Sequence, residues 1–461
     1  MCLAELKPEM LYKMKNRRIT LAIICVNILF FGIACMFVFS PLRLGTDIIR
    51  YFRMAIPAAL GGAYGVDQFP PFYPHLLCYL MKGGICGPVS IYAINLLAFA
   101  CALAILYKLL RLSGVGVFYS WLCLLVMQMS TTVQLLLILP QTDILLLPFF
   151  WGTILCCTNF ERMSTRAKWR WGVGALSCAA VAITIRTAAI PLVAVILVAF
   201  SGLRESLFKK SVIWLLGGGL FLLAIGMLLA FRFTDFAASG GYFSSQVTFY
   251  REAGILGCLS IVWGHLHEIA QLVCNKIPES IYGVGTCATL VVVMFFIMAL
   301  VSQWRSMSFS MLVAVLSYGA LILIWYCHDP RFMLPILPFI LIIIGKTVAQ
   351  FEDKLKVVRI VKWGYLFGFV AVGLLFRMYL ARQWINFDGP IYLNTLSEEM
   401  RKTFVLAQTK NVNGLVGDER NRNVFLLKMF DPRHCTPEAA PLQLHDWHSF
   451  VDTGVIGLTA K

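Results

Sequence analysis

The chain is poor in charge. Only 13% of its 461 residues are Asp, Glu, Lys or Arg, and acids are the scarcer kind, 23 against 39 bases. Soluble domains carry about a quarter charged residues, so water cannot be the solvent for most of this sequence. Paired cysteines are missing too. Fifteen cysteines occur without a C-x-x-C pair or any metal-ligand spacing, and most, Cys25, Cys101 and Cys178 among them, lie inside apolar runs. There a thiol behaves as a small hydrophobe. The ten-residue alternation of an outer-membrane barrel is absent, and no internal repeat supports a transporter built from inverted halves. The first apolar run, Ile19–Phe39, lacks a small-residue cleavage site and is too long for a signal-peptide core, so it reads as a retained span.

What is present is hydrocarbon. The composition is 59% hydrophobic with mean hydropathy +0.79, in repeated runs of about 20 residues, the length of a membrane-crossing helix. Such runs must be helical, because hydrocarbon offers no partner to an unpaired backbone group. The net charge of +16 sits in short bursts between the runs, the distribution of cytoplasmic loops rather than of a nucleic-acid surface. Lys13, Lys15, Arg17 and Arg18 precede the first run, which places the N-terminus in the cytoplasm and the long loop 40–88 outside. The expected fold class is an α-helical polytopic membrane protein of about 11 spans. The expected domains are a transmembrane domain, 1–380, and an extracytoplasmic C-terminal segment, 381–461. The stretch 171–201 is long for one helix and short for two. Arg186 and Pro191 interrupt it, and two short helices meeting at Arg186 keep every basic cluster on one side.

The residues that carry chemistry are the few charges near apolar segments. Loop 40–88 opens on a lone acid, Asp47, followed by Arg50, Tyr51 and Arg53 at near-helical spacing, within a stretch 47–60 that predicts an amphipathic interfacial helix. A carboxylate beside a membrane is costly to desolvate. Asp47 is read either as a general base or as an interfacial acid paired with a neighbouring arginine. Arg186 lies in the apolar stretch AVAITIRTAAIPLV. Its fork suits a phosphate; the competing reading is a structural pair with Asp143 or snorkelling to the interface. Asp143 opens a mid-chain span, where helix capping is favoured over catalysis. His328, Asp329 and Arg331 form a cluster before another span, read as an anion site or as an ordinary turn capped by Asp329. His265 and His267 are two residues apart, point to different sides of a helix and do not suit a shared metal.

These residues lie within a pattern that resembles the GT-C superfamily of integral-membrane glycosyltransferases, among them protein O-mannosyltransferases, lipid A aminoarabinose transferases and lipopolysaccharide sugar transferases. The resemblance is carried by Asp47-Ile-Ile-Arg-Tyr51, then Gly61-Gly-Ala-Tyr64 and Pro70-Pro-Phe-Tyr-Pro74. Further on it is carried by Gln141-Thr-Asp143, by Ile185-Arg186-Thr187, and by Asp329-Pro-Arg331-Phe-Met-Leu-Pro335-Ile-Leu-Pro338. The tail from Gly414 to Phe425 is similar to a small outer α/β domain that many members carry. The resemblance implies a GT-C fold and inverting transfer of a sugar from a polyprenyl-phosphate donor to a lipid, glycan or protein acceptor at the extracytoplasmic face. Asp47 matches the catalytic acid position. Arg50, Tyr51, Tyr64, Asp143, Arg186, His328 and Arg331 are the candidate substrate or phosphate contacts. Many relatives have a second acid beside the first; here the next acid in the loop is Asp67, so no divalent-metal cofactor is assigned. The bacterial inner membrane is favoured over the endoplasmic reticulum. The alternative is a lipid or solute transporter or flippase, and nucleic acid is not expected as a partner.

Overall fold

A computed structural model describes residues 8–40, 51–62 and 70–201 with short gaps, 242–275, 284–303, 307–352 with short gaps, and 356–385. Among the described residues there are thirteen α-helices and no strand. In chain order they are α1 (Pro8–Met36), α2 (Phe72–Lys82), α3 (Pro88–Leu112), α4 (Val117–Met129), α5 (Thr131–Leu137), α6 (Thr142–Arg162) and α7 (Thr165–Ile185). There follow α8 (Leu192–Ser201), α9 (Tyr242–Cys274), α10 (Val284–Gln303), α11 (Phe309–Leu323), α12 (Leu337–Glu352) and α13 (Lys356–Ile385). Five stretches, in α1, α3, α6, α10 and α13, are long and apolar enough to cross a membrane, and α4 with α5 makes a sixth if that bent pair is one span. This is a helical membrane protein. The expected C-terminal segment, from 386 on, lies outside the described residues, as do Asp47, Arg50, Tyr64 and His328.

The bundle is organised around α6. It is apolar on all sides, and a helix of that kind is a buried one. Phe150, Trp151, Ile154 and Cys157 are fully buried along it, whereas the apolar segments of α1 and α10 are largely exposed, as lipid-facing helices are. Small side chains let α7 approach α6 closely. A Cβ at Gly152 would sit 3.2 Å from Cys178 Sγ, and one at Gly174 would sit 3.1 Å from Cys156 Sγ. Close approach at small residues is how membrane helices gain packing energy where lipid offers no hydrophobic contrast. Here the intramembrane cysteines act by their size.

Polar side chains join helix ends at one end of the bundle. Ser113, just past α3, reaches Met311 at the start of α11, and Glu161 near the end of α6 accepts from the backbone N–H and hydroxyl of Ser310. Tyr119 of α4 donates to Glu352 at the end of α12, and Lys362 of α13 meets both oxygens of that carboxylate at 2.6 Å. The ends bearing Arg111, Arg162, Arg359 and Lys362 are therefore gathered at one end. The start of α6 lies about 30 Å away, at 1.5 Å per residue over its length.

Two apolar stretches are interrupted. The stretch 115–139 is bent by 62° between α4 and α5. Ser130, with φ −60° and ψ 123°, leaves the helix there. Asn275 staples the bend. Its Nδ2 donates to Met129 O and to Phe369 O, both at 2.9 Å, and its Oδ1 accepts from Thr131 N at 2.7 Å. Asn275 has φ 57°, a conformation asparagine tolerates better than most residues. The apolar segment that follows Asp329 begins as a 3-10 turn, Pro330–Met333, and α12 starts only at Leu337. Pro330 and Pro335 lack backbone N–H groups, and Pro338 suits the first turn of a helix but not its interior.

Candidate functional site

At the end of the bundle opposite the basic loops, three segments distant in sequence bring charge together. The first is the start of α6. Asp143 is its second residue, where the unpaired N–H groups and dipole of a helix N-terminus favour an anion. The second is the break after α7. That helix stops at Ile185, Arg186 is extended (φ −154°, ψ 122°), and a short 3-10 turn, Thr187–Ala189, leads into α8. The stretch 171–201 is thus two helices meeting at Arg186. The third is the turn before α12. Asp329 caps it, its Oδ1 accepting from Arg331 N at 3.0 Å and its Oδ2 lying 2.7 Å from Arg331 Nε.

Asp143 lies between the two arginines. Its Oδ1 pairs with Arg186 Nη1, and its Oδ2 is 3.8 Å from Arg331 Nη1. The carboxylate is 4% exposed, and each guanidinium side chain is 18% exposed. Both guanidinium carbons lie over the ring of Phe332, at 4.8 Å and 5.3 Å from its centroid. A carboxylate and an aromatic face both attract guanidinium groups; together they hold two like charges side by side with part of each open. Asp143 does not cap its helix, contrary to expectation: Gln141 occupies the cap position, and the Asp143 carboxylate is turned to the arginines. The structural pairing of Arg186 with Asp143 is real, and it orients the guanidinium.

Tyr51 joins from loop 40–88. It is buried, its hydroxyl lies 3.3 Å from Thr142 Oγ1 beside Asp143, and its ring packs edge-on against Tyr73 at 5.0 Å. Burial, then the neighbouring Tyr51, pushes the Tyr73 phenol well above its usual pKa. Its hydroxyl has no hydrogen-bond partner among the described residues. The helical pieces of the loop at 51–59 are buried rather than laid on a surface. Of the eight sites read from sequence, the structure brings Tyr51, Asp143, Arg186 and Arg331 together, and the other four lie outside the described residues.

Sequence reasoning missed the supports. Trp151 Nε1–H donates to Pro335 O at 2.9 Å, and Tyr318 O–H donates to Phe332 O at 3.0 Å, both from the buried core onto the Arg331 turn. In sequence these are aromatic residues inside apolar runs, and nothing separates them from packing residues. Among the described residues no group of three His, Cys, Asp or Glu is placed to hold a metal ion. His265 and His267 face different partners, Glu268 and Thr289. The chemistry open to the cluster is electrostatic: two partly exposed arginine side chains, oriented by Asp143 and Asp329, are the kind of group that can face an oxyanion.

Residues 283–440 match the family model of the Alg9-like mannosyltransferase family, a GT-C type glycosyltransferase family. The matched part runs from α10 through the Asp329–Arg331 turn to α13 and beyond. No curated protein and no solved structure gives a match. The match supports a membrane glycosyltransferase of the GT-C kind, using a sugar donor and an acceptor.

Proposed function

We propose that the chain transfers a sugar from a polyprenyl-phosphate donor to an acceptor, with inversion, at the extracytoplasmic membrane face where Asp143, Arg186 and Arg331 meet. The observation that carries this is the convergence of Arg186 and Arg331 from distant segments onto Asp143 and one ring, each arginine side chain still part-exposed. A glycosyl phosphate breaks at the bond from the anomeric carbon to the phosphate oxygen, and the bonding electrons stay on the phosphate. Fixed cations stabilise that charge most as it develops. Asp47 is the proposed general base, taking the acceptor proton as the acceptor oxygen bonds to the opposite face of the carbon. Asp143 is not suited to that task, because its oxygens face two arginines. The matched family's name makes a mannosyl donor the first to test, without setting the acceptor. A bacterial inner membrane remains the favoured setting.

A transporter would hold its substrate or ion on the freed backbone groups of a broken span. At the break between α4 and α5, Met129 O and Thr131 N are already bonded to Asn275. The test is binding of a short polyprenyl phosphate, and sugar transfer from its mannosyl ester, with wild type, Arg186→Ala and Asp47→Asn. Arg186→Ala is expected to weaken binding by roughly tenfold or more, the loss of about one charge-assisted contact. Asp47→Asn is expected to bind normally and transfer nothing. Wild-type transfer by Asp47→Asn would remove the base, and indifference of all three proteins to the lipid would remove the reading.

A further inference from the structure

The turn that carries Arg331 is held by its carbonyls. Tyr318 holds Phe332 O, and Trp151 holds Pro335 O. On the N-terminal side, His265 Nε2 lies 2.6 Å from Trp325 O. The first two clamps are neutral donors. His265 is different. Its ring is fully buried, and its Nδ1 lies 2.8 Å from Oε2 of Glu268, itself 7% exposed. Both ring nitrogens therefore face oxygens. A neutral imidazole has one N–H and satisfies one of them. Satisfying both takes one further proton, carried on the ring opposite a carboxylate or on Glu268, which then donates to Nδ1. Without that proton two buried acceptors face each other, an arrangement that costs the desolvation of both.

The helix behind this pair is itself fixed. Gly254 (φ 62°, ψ −164°) breaks α9, and His265 lies in the helical part after the break. Its other side is anchored to α10. Thr289 Oγ1 lies 2.8 Å from His267 Nδ1, and Gln271 Nε2 donates to His267 Nε2 at 3.0 Å. The same helix packs against the 330–333 turn. Trp325 O is thus tied to a helix that is bonded in turn to α10, a few residues before the arginine that faces Asp143.

We propose that His265 and Glu268 are positioning residues for Arg331: the proton-sharing pair fixes Trp325 O and so the approach of the turn that presents Arg331 to Asp143. This rests on the reading of Arg331 as a phosphate ligand. The test uses the full-length protein and the variants His265→Phe, Glu268→Leu, Glu268→Gln and Arg331→Ala. Two quantities are read: hydrogen-exchange protection of the amides of residues 331–334, 336 and 337, and affinity for a short polyprenyl phosphate. His265→Phe and Glu268→Leu are expected to lower protection in that segment, leave α6 protected, and weaken lipid binding by roughly tenfold or more, the effect of a displaced contact. Glu268→Gln is expected to restore both. Its carboxamide N–H donates to Nδ1 of a neutral ring whose Nε2–H still holds Trp325 O. A core-packing role alone would not separate Gln from Leu in this way.

Normal protection and binding in His265→Phe would overturn the proposal, as would Glu268→Gln behaving like Glu268→Leu. Should His265→Phe fail to fold, the Gln and Leu pair decides. Lipid binding unchanged in Arg331→Ala would remove the phosphate role of Arg331, and the exchange data would still decide the positioning.

Discussion

The two ends of this bundle each hold a cluster of charge, and the clusters are built oppositely. At the basic end, Lys362 meets both oxygens of Glu352 at 2.6 Å, and the rings of Phe118, Tyr119 and Trp363 surround its ammonium at 5.0–5.8 Å. Its side chain is 7% exposed. At the other end, Asp143 is set between Arg186 and Arg331, whose side chains are each 18% exposed, and Asp329 holds the Nε edge of Arg331. An ammonium is a point charge that one carboxylate and an aromatic cage can enclose. A guanidinium is a planar fork, and holding one edge leaves others for a ligand. The first cluster closes a joint between α4, α12 and α13. In the second, Asp143 and Asp329 balance the two arginines, whose side chains stay partly open.

Asp143→Leu puts the sharpest strain on this contrast. It leaves Arg186 without its anion and Arg331 with Asp329 alone, and breaking such a network costs about 3–5 kcal/mol. A large fall in thermal midpoint in detergent is expected, with partial recovery in the double variant Asp143→Leu, Arg186→Met. A wild-type melting profile for Asp143→Leu would mean that the carboxylate does not hold the site. Lys362→Met is next. Losing the ammonium is expected to cost about 1–3 kcal/mol, the penalty of an unpaired buried acceptor, while sugar transfer per folded molecule stays unchanged. Loss of transfer in a fully folded Lys362→Met protein would erase the distinction between the ends.

The smallest effect is one of pH. Burial alone would raise the Glu352 carboxyl, but hydrogen bonds from Lys362 and Tyr119, with the charges of Lys362 and Arg359, outweigh it and hold the pKa below the ordinary value. A depressed carboxyl contributes stability above its unfolded pKa of about 4.3 and loses it as pH falls through the folded value. Glu352→Gln should therefore melt below wild type at neutral pH, and the gap should narrow on acidification below about pH 4. An equal gap at both pH values would show that the carboxylate's charge adds nothing there.

The charges of the site were legible because each broke a local rule: Arg186 inside an apolar stretch, Asp143 opening a span, Arg331 after Asp-Pro. The break at Arg186 was legible for the same reason, with Pro191 close behind. The bend at Ser130 was not. The residues around it, Gln128-Met-Ser-Thr131, contain no proline or glycine, and the asparagine that satisfies the freed backbone is far along the chain. The clamps were hidden for a related reason. Trp151, Tyr318 and His265 are donors whose acceptors are backbone carbonyls, and any residue supplies one of those.

The Asn275 staple has a consequence for how the chain is made. The carbonyl of Met129 and the N–H of Thr131 depend on a side chain synthesised long after them, and Asn275 in turn reaches Phe369 O, later still. Hydrocarbon does not tolerate unsatisfied backbone groups. While ribosomes are still short of residue 275, the segment 117–137 is therefore expected to sit in the membrane as one straight helix, its groups paired along its own axis. The bend is then a late remodelling of an already inserted span. Truncated nascent chains ending before and after Asn275 should differ in the depth at which a label at position 134 is quenched, and equal depths would refute that order of assembly.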